Sequence, residues 1–191
     1  MNKTTRVIVY VAAYVGLATV LNYLNTILPI LQMPNGGSLE LMVIPIFVAS
    51  YHLGWKMGMA VGVLSWLVGT MFGMSNYMVS PLQVFFDYIA PVMAIGIASL
   101  LPSISLGKMK LSNVYIGIFI GMLLKYSSQV ISGAYFWPGD GAAGSIPAWI
   151  FSLSYNFGYN ALTLGFAIVL TPILIKALRT IKPKEFGGIK D

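Results

Sequence analysis

Cysteine is absent from this 191-residue chain, and histidine occurs once, at His52. The first absence excludes disulfides, thiolate chemistry and a cysteine-ligated metal. The second leaves no residue set for a histidine-based metal or catalytic site. Charge is scarce too: 8% of residues are charged, with 5 acidic against 11 basic. No G-x-x-x-x-G-K-[ST] phosphate loop occurs, so any ATP hydrolysis falls to partners. Internal repeats, low-complexity tracts and a second domain are also missing. What fills the chain is apolar, with 58% hydrophobic residues and a mean hydropathy of +0.83. A soluble core of this length has no room for so much apolar surface, so the composition is that of an integral membrane protein. The net charge of +6 raises the question of nucleic acid. The basic residues flank apolar segments rather than forming a stripe, which argues against it.

Six helical spans fit the pattern, at about 5–26, 40–53, 57–73, 81–101, 113–134 and 147–178, giving an all-α membrane bundle in one domain over 1–191. The start has the layout of a signal peptide (Lys3 and Arg6, then apolar residues 7–21). No clear small-residue cleavage site precedes Asn22, so it is read as a helix. The second span is short, which predicts a tilt with an irregular end or backing by protein. Pro34-Asn35-Gly36-Gly37 marks a turn. The segment 103–112, with Lys108 and Lys110, reads as a linker. Pro147 suits a first helical turn, and Gly158 allows a kink in the long last helix. With the N-terminus inside, the cytoplasmic segments hold Lys3, Arg6, Lys56, Lys108, Lys110, Lys176, Arg179, Lys182, Lys184 and Lys190, ten of the eleven basic residues. The positive-inside rule therefore predicts that both termini are cytoplasmic.

The eleventh, Lys125, lies inside an apolar run, and Glu40 and Asp87 lie in or beside others. An ionisable group at membrane depth costs roughly 2.5–3.5 kcal/mol on insertion scales and is rarely idle. The orientation puts Glu40, Asp87, Lys125, Gln129, Tyr155 and Asn156 in the outer half of the bilayer, with Tyr77 and Trp137 at the outer loops. Gln129 stands one turn from Lys125 on the same face. The inner stretches 92–101, 115–124 and 162–175 carry no charge. A carrier site at the midplane or a channel's polar path through both halves would look different. The pattern predicts an outward-facing capture site over a sealed inner plug. Plainer readings stand beside it. Asp87 and Lys125 would form a structural ion pair, and Glu40 would sit at a helix N-terminus favoured by its dipole. Tyr77, Tyr88 and Trp137 would join the aromatic belt to which Tyr51, Trp55 and Trp149 are assigned. Asn156 would bond between helices. Ala12 and Gly16 form a small-xxx-small pair on the first span, suited to internal packing or to a membrane partner.

The stretches MPNGGSLELMVIPIF at 33–47, SPLQVFFDYIAP at 80–91, LLKYSSQVISGAYFW at 123–137 and FSLSYN at 151–156 resemble the thiamin-binding substrate-capture subunit of energy-coupling-factor (ECF) transporters. The likeness extends over about 5–178. It implies a six-helix protein of the bacterial cell membrane that holds a vitamin near the outer surface under its first loop, here Asn35, Gly36 and Gly37. It also implies a transmembrane coupling protein and two ATPases as partners, with Ala12 and Gly16 meeting the coupling protein. By position, Asp87 matches the carboxylate that takes the aminopyrimidine, with Tyr88 following it and Tyr77 upstream. Lys125, Trp137 and Asn156 match a lysine, a stacking tryptophan and an asparagine, and Glu40 matches a glutamate. The family's histidine is Gln129 here, its tyrosine before Ser152 is Phe151, its loop-1 tryptophan falls near Gly36, and its third-helix tryptophan falls at Trp66, one residue off.

The expectation is a vitamin-binding subunit with no cofactor and no catalysis. Trp137 stacks on the ligand, Asp87 accepts from a ring amino group, Asn156 and Gln129 orient it, and Lys125 holds the carboxylate or donates to a hydroxyl. Glu40, Trp66, Tyr88 and Tyr155 complete the set. Thiamin is favoured; pyridoxine or the hydroxymethylpyrimidine precursor is the rival ligand, because a lost polar partner in a pocket changes which ligand it accepts. A solitary carrier or channel, and an intramembrane acid–base enzyme, are the other classes.

Overall fold

The computed structural model describes residues 2–28, 37–74, 77–106, 109–181 and 189. Among these, six helical segments form the bundle: α1 (Lys3–Ile27), α2 (Val43–Leu53), α3 (Trp55–Met71), α4 (Pro81–Leu100), α5 (Asn113–Phe136) and α6 (Ile146–Ile181). Four of them, α1, α4, α5 and α6, are long and apolar enough to cross a membrane. Asn2 caps α1 by accepting from the Thr5 amide, and Ser112 caps α5 through Val114.

Helix α2 has 11 residues, about 16 Å of rise against a hydrocarbon core of roughly 30 Å. It is backed by protein rather than lipid, since every residue from Val43 to Tyr51 is buried. Phe47, Ile46 and Tyr51 lie at its centre with Val61, Ile95, Ile118 and Met122 around them. Tyr51 is therefore not a belt residue. It is fully buried, and its hydroxyl donates to the Asn113 and Val114 carbonyls at 3.0 and 3.3 Å. Small residues bring the backbones together here. A side chain on Gly58 would strike the Gly96 carbonyl, and one on Gly96 would strike the Met59 backbone. Ser50 Oγ uses this closeness to donate to the Gly96 carbonyl at 2.6 Å.

Two departures from the expected layout matter. The span 81–101 is not one regular helix. It runs as an α-turn (Pro81–Val84), a π-turn (Phe85–Ile89), an α-segment (Ala90–Gly96) and a 3-10 turn (Ala98–Leu100). Pro91 has no N–H to offer the Asp87 carbonyl four residues back. The ladder widens at that point, and the Ala90 amide bonds to Phe85 five residues back. The linker 103–112 contains a two-stranded antiparallel hairpin, β1 (Ile104–Leu106) and β2 (Met109–Leu111), with Ser105 opposite Lys110. By contrast, α6 runs on through Gly158.

Bonds between helices set the alternation. Tyr14 of α1 meets His52 at the end of α2 at 2.9 Å, and Tyr51 meets the start of α5. Ser50 also meets Ser99 at the end of α4 at 3.1 Å. The last turns of α1, α3 and α5 and the first turns of α2, α4 and α6 thus gather at the opposite end, called distal here. Large apolar residues such as Ile8, Leu17, Phe119, Phe166 and Ile173 remain exposed along the bundle, a surface suited to lipid.

Candidate functional site

A cavity of about 720 Å³ opens at the distal end between α4, α5 and α6. Its size falls within the roughly 300–1,000 Å³ of small-molecule pockets. Asp87, in the π-turn, is the one ionisable carboxylate on its wall among the described residues, and no lysine or arginine lines it. The carboxylate is held from two sides. Its Oδ2 accepts from Gln83 Nε2 at 2.5 Å and from Trp137 Nε1 at 2.9 Å. Oδ1 receives no hydrogen bond from the described residues.

Aromatic rings form the rest of the wall. Trp137 meets Tyr77 edge-to-face with centroids 6.4 Å apart. Phe151 stacks on Tyr155 at 5.8 Å, and Tyr155 meets Tyr159 at 6.5 Å. Tyr88 donates to the Tyr77 carbonyl at 3.1 Å and stacks on Trp66 at 6.2 Å. Gly37, with φ of 74°, lies so close to the Tyr159 ring that a side chain would enter it. Only glycine takes this φ without strain. Gly133 and Ser152 let α5 and α6 touch beneath the cavity, and Ser152 Oγ donates to the Val130 carbonyl at 2.9 Å.

Beside the cavity lies a second polar layer. Lys125 Nζ donates to Glu40 Oε1 at 2.9 Å, Gln129 Oε1 at 2.9 Å and Asn160 Oδ1 at 2.8 Å. Its side chain is 2% exposed and that of Glu40 is 23% exposed. The ammonium also sits 5.4 Å from the Tyr159 ring centroid. Asn160 Nδ2 returns to Gln129 Oε1 at 3.0 Å. The backbone N–H of Glu40 donates to Thr163 Oγ1 at 3.1 Å, which ties the segment before α2 to α6.

Of the residues singled out from sequence, the cavity gathers Gly37, Tyr77, Asp87, Tyr88, Gln129, Trp137, Tyr155 and Asn156. It does not include Glu40, Lys125 or Trp66. The Asp87–Lys125 ion pair, one of the plainer readings, does not form: Lys125 pairs with Glu40, and Asp87 is held by Gln83 and Trp137. All three ammonium protons are taken, so Lys125 has none for a ligand hydroxyl. Glu40 stands three residues before α2 and bonds to a cation, so the helix dipole is not what stabilises it. Trp66 packs behind Tyr88. Asn156 bonds within α6, its Nδ2 donating to the Ser152 carbonyl at 2.9 Å and its Oδ1 accepting from Tyr159 Oη. Asn35 and Gly36 lie outside the described residues. Ala12 and Gly16 are exposed, with open space over Gly16. Sequence reasoning passed over Gln83, Tyr159 and Asn160. Their signal was helical spacing: each lies four residues from a residue that was chosen, Asp87, Tyr155 and Asn156.

The sequence matches the family described as thiamine transporter protein (Thia_YuaJ) over residues 8–183. The chain belongs to this family. It is 36% identical over 192 residues to the thiamine transporter ThiT of Bacillus subtilis (strain 168), covering 95% of this chain and 98% of that one. The fold matches the structure of ThiT from Listeria monocytogenes with a TM-score of 0.64 at 18% identity, over 97% of this chain and 99% of the other. The chain is thus a multi-pass, all-helical membrane protein with a transport role rather than a catalytic one.

Proposed function

We propose that this protein captures thiamin from the outer side of the cell membrane and delivers it with an ATP-driven ECF coupling module. The observation that carries the reading is the cavity itself: one carboxylate, uncompensated on the wall, faces aromatic rings at one end of the bundle. That pairing suits a flat heteroaromatic cation. Asp87 Oδ1 would accept from the exocyclic amine of the pyrimidine, and the carboxylate would balance the permanent thiazolium charge. Trp137 and the Tyr155–Phe151 pair would supply ring faces, where a cation gains roughly 0.5–2 kcal/mol. Gln129 and Asn156 would meet the polar edges. Gly37, seated on Tyr159, would close one side of the mouth. The Lys125–Glu40 pair would brace this arrangement without touching the ligand.

The distribution of basic residues supports cytoplasmic termini and a distal end that faces outward. The packed core around Ile95, Ile118 and Met122 supports a site closed toward the inside, so release requires a change of state driven from elsewhere. Ala12 and Gly16, exposed on α1, offer a close-approach face to the transmembrane coupling protein, with the two ATPase subunits bound to that partner. Titration of the purified chain, followed by tryptophan quenching, tests the ligand. Thiamin is expected to saturate the signal at far lower concentration than pyridoxine, which has no permanent cation. Tighter binding of pyridoxine or of hydroxymethylpyrimidine would reject thiamin as the cargo.

A further inference from the structure

Gln83 is fully buried in the first turn of α4, one helical turn from Asp87. Its amide has a defined direction. Oε1 accepts from the Val79 backbone N–H at 3.1 Å. A backbone N–H can only donate, so the group facing it is the oxygen. The NH₂ is therefore the group 2.5 Å from Asp87 Oδ2. Trp137 Nε1, also a donor only, reaches the same oxygen. Two fixed donors thus converge on one oxygen and hold the carboxyl group in place. They leave Oδ1, on a side chain that lines the cavity, free of the bonds that hold Oδ2.

The placement is local and economical. Ser80 caps the turn by accepting from the Gln83 amide at 3.1 Å, which fixes the backbone on which Gln83 stands. One turn later the π-turn carries Asp87. Gln83 and Asp87 thus lie four apart with their side chains joined, and Val79, just before the cap, orients the amide.

We infer that Gln83 is a positioning residue: through its oriented amide it holds and aims the Asp87 carboxyl group, so that the cavity accepts ligands presenting a hydrogen-bond donor. The inference rests on the proposed reading of the cavity as the vitamin site.

The test compares wild type with Gln83→Leu and Gln83→Glu, titrated with thiamin between pH 5.5 and 8. Gln83→Leu removes the donor and is expected to weaken binding about tenfold or more, in line with the worth of a hydrogen bond to a charged group. Gln83→Glu is nearly isosteric. Its second oxygen meets Asp87 at carboxyl–carboxyl distance, where two like charges share a proton. Near pH 5.5 the shared proton restores a donor, and affinity is expected within about threefold of wild type. At pH 8 the variant is expected to fall at least tenfold below wild type at that pH. Among the described residues, the other ionisable groups around Asp87 are Tyr77 before α4, Tyr88 on α4, Tyr155 and Tyr159 on α6, and the Lys125–Glu40 pair. They are common to both proteins, so the variant-to-wild-type ratio at each pH isolates position 83. Recovery in acid also shows that the variant is folded. A ratio that stays flat with pH, or a Gln83→Leu protein that binds like wild type, overturns the inference and leaves the vitamin reading intact. Wild type that takes no thiamin at any pH overturns the vitamin reading, and the inference with it.

Discussion

Removing Glu40 tests whether Lys125 is a brace or a ligand contact. In Glu40→Ala the ammonium keeps two neutral acceptors, Gln129 Oε1 and Asn160 Oδ1, but loses its counter-charge. Breaking a buried pair from one side costs roughly 3–5 kcal/mol. Glu40 keeps 23% exposure, so water softens the loss, and about 3 kcal/mol is expected. At about 2–4 °C per kcal/mol for a chain of this size, thermal unfolding in detergent should fall by about 6–12 °C. Lys125→Met alone should cost less, because the partly exposed carboxylate rehydrates. The double variant Glu40→Ala/Lys125→Met should cost clearly less than the two singles together, by about 2 kcal/mol, since removing both charges strands neither. It should also bind thiamin within about tenfold of wild type. Losses that simply add, to within about 0.5 kcal/mol, would refute the pairing. A double variant that is stable yet no longer binds would put Lys125 back on the ligand.

Trp137→Ala and Asp87→Asn should each weaken thiamin binding at least tenfold, about 1.4 kcal/mol; unchanged affinity in both, by calorimetry, removes the cavity as the site. Gly16→Leu fills space that is open in the isolated chain, so it should spare ligand binding and stability while abolishing uptake by cells; normal uptake rejects the α1 docking face. Gly96→Ala places a methyl carbon within 3.0 Å of the Met59 backbone, and the α3–α4 crossing should lose about 1–3 kcal/mol, read as a lower unfolding temperature with no change in ligand preference for the folded fraction.

Helix positions were readable because each long apolar run is bounded by charge or by Pro and Gly. The expected span 57–73 and the observed Trp55–Met71 differ by two residues at each end, the usual scatter of helix termini. Position along each helix axis was readable too, since rise per residue is fixed. Azimuth across helices was not. Asp87 and Lys125 were placed at similar depth, yet one turned toward Trp137 and the other toward Glu40. Within a helix the i, i+4 rule did set azimuth, and Lys125 bonds Gln129 as that spacing requires. The burial of Tyr51 depends on packing between distant segments, which a single run of residues does not display.

The π-turn shows how a local rule reaches the site. Pro91 withholds one amide, the helix widens by one residue per turn over Phe85–Ile89, and everything distal to it rotates relative to a regular helix. A regular α-helix advances 100° per residue, so one inserted position turns the Gln83 side by about that angle relative to the segment that packs on α3 and α5. Asp87 can then face the cavity with Gln83 buried behind it, while Ala94 and Ile95, lower on the same helix, stay in the core. Ser128 Oγ donates to the Phe86 carbonyl at 2.7 Å, which uses an acceptor in the widened turn and anchors it to α5. The proline that interrupts α4 and the carboxylate four residues before it therefore act as one device: the break frees the backbone, and the freed turn presents the charge.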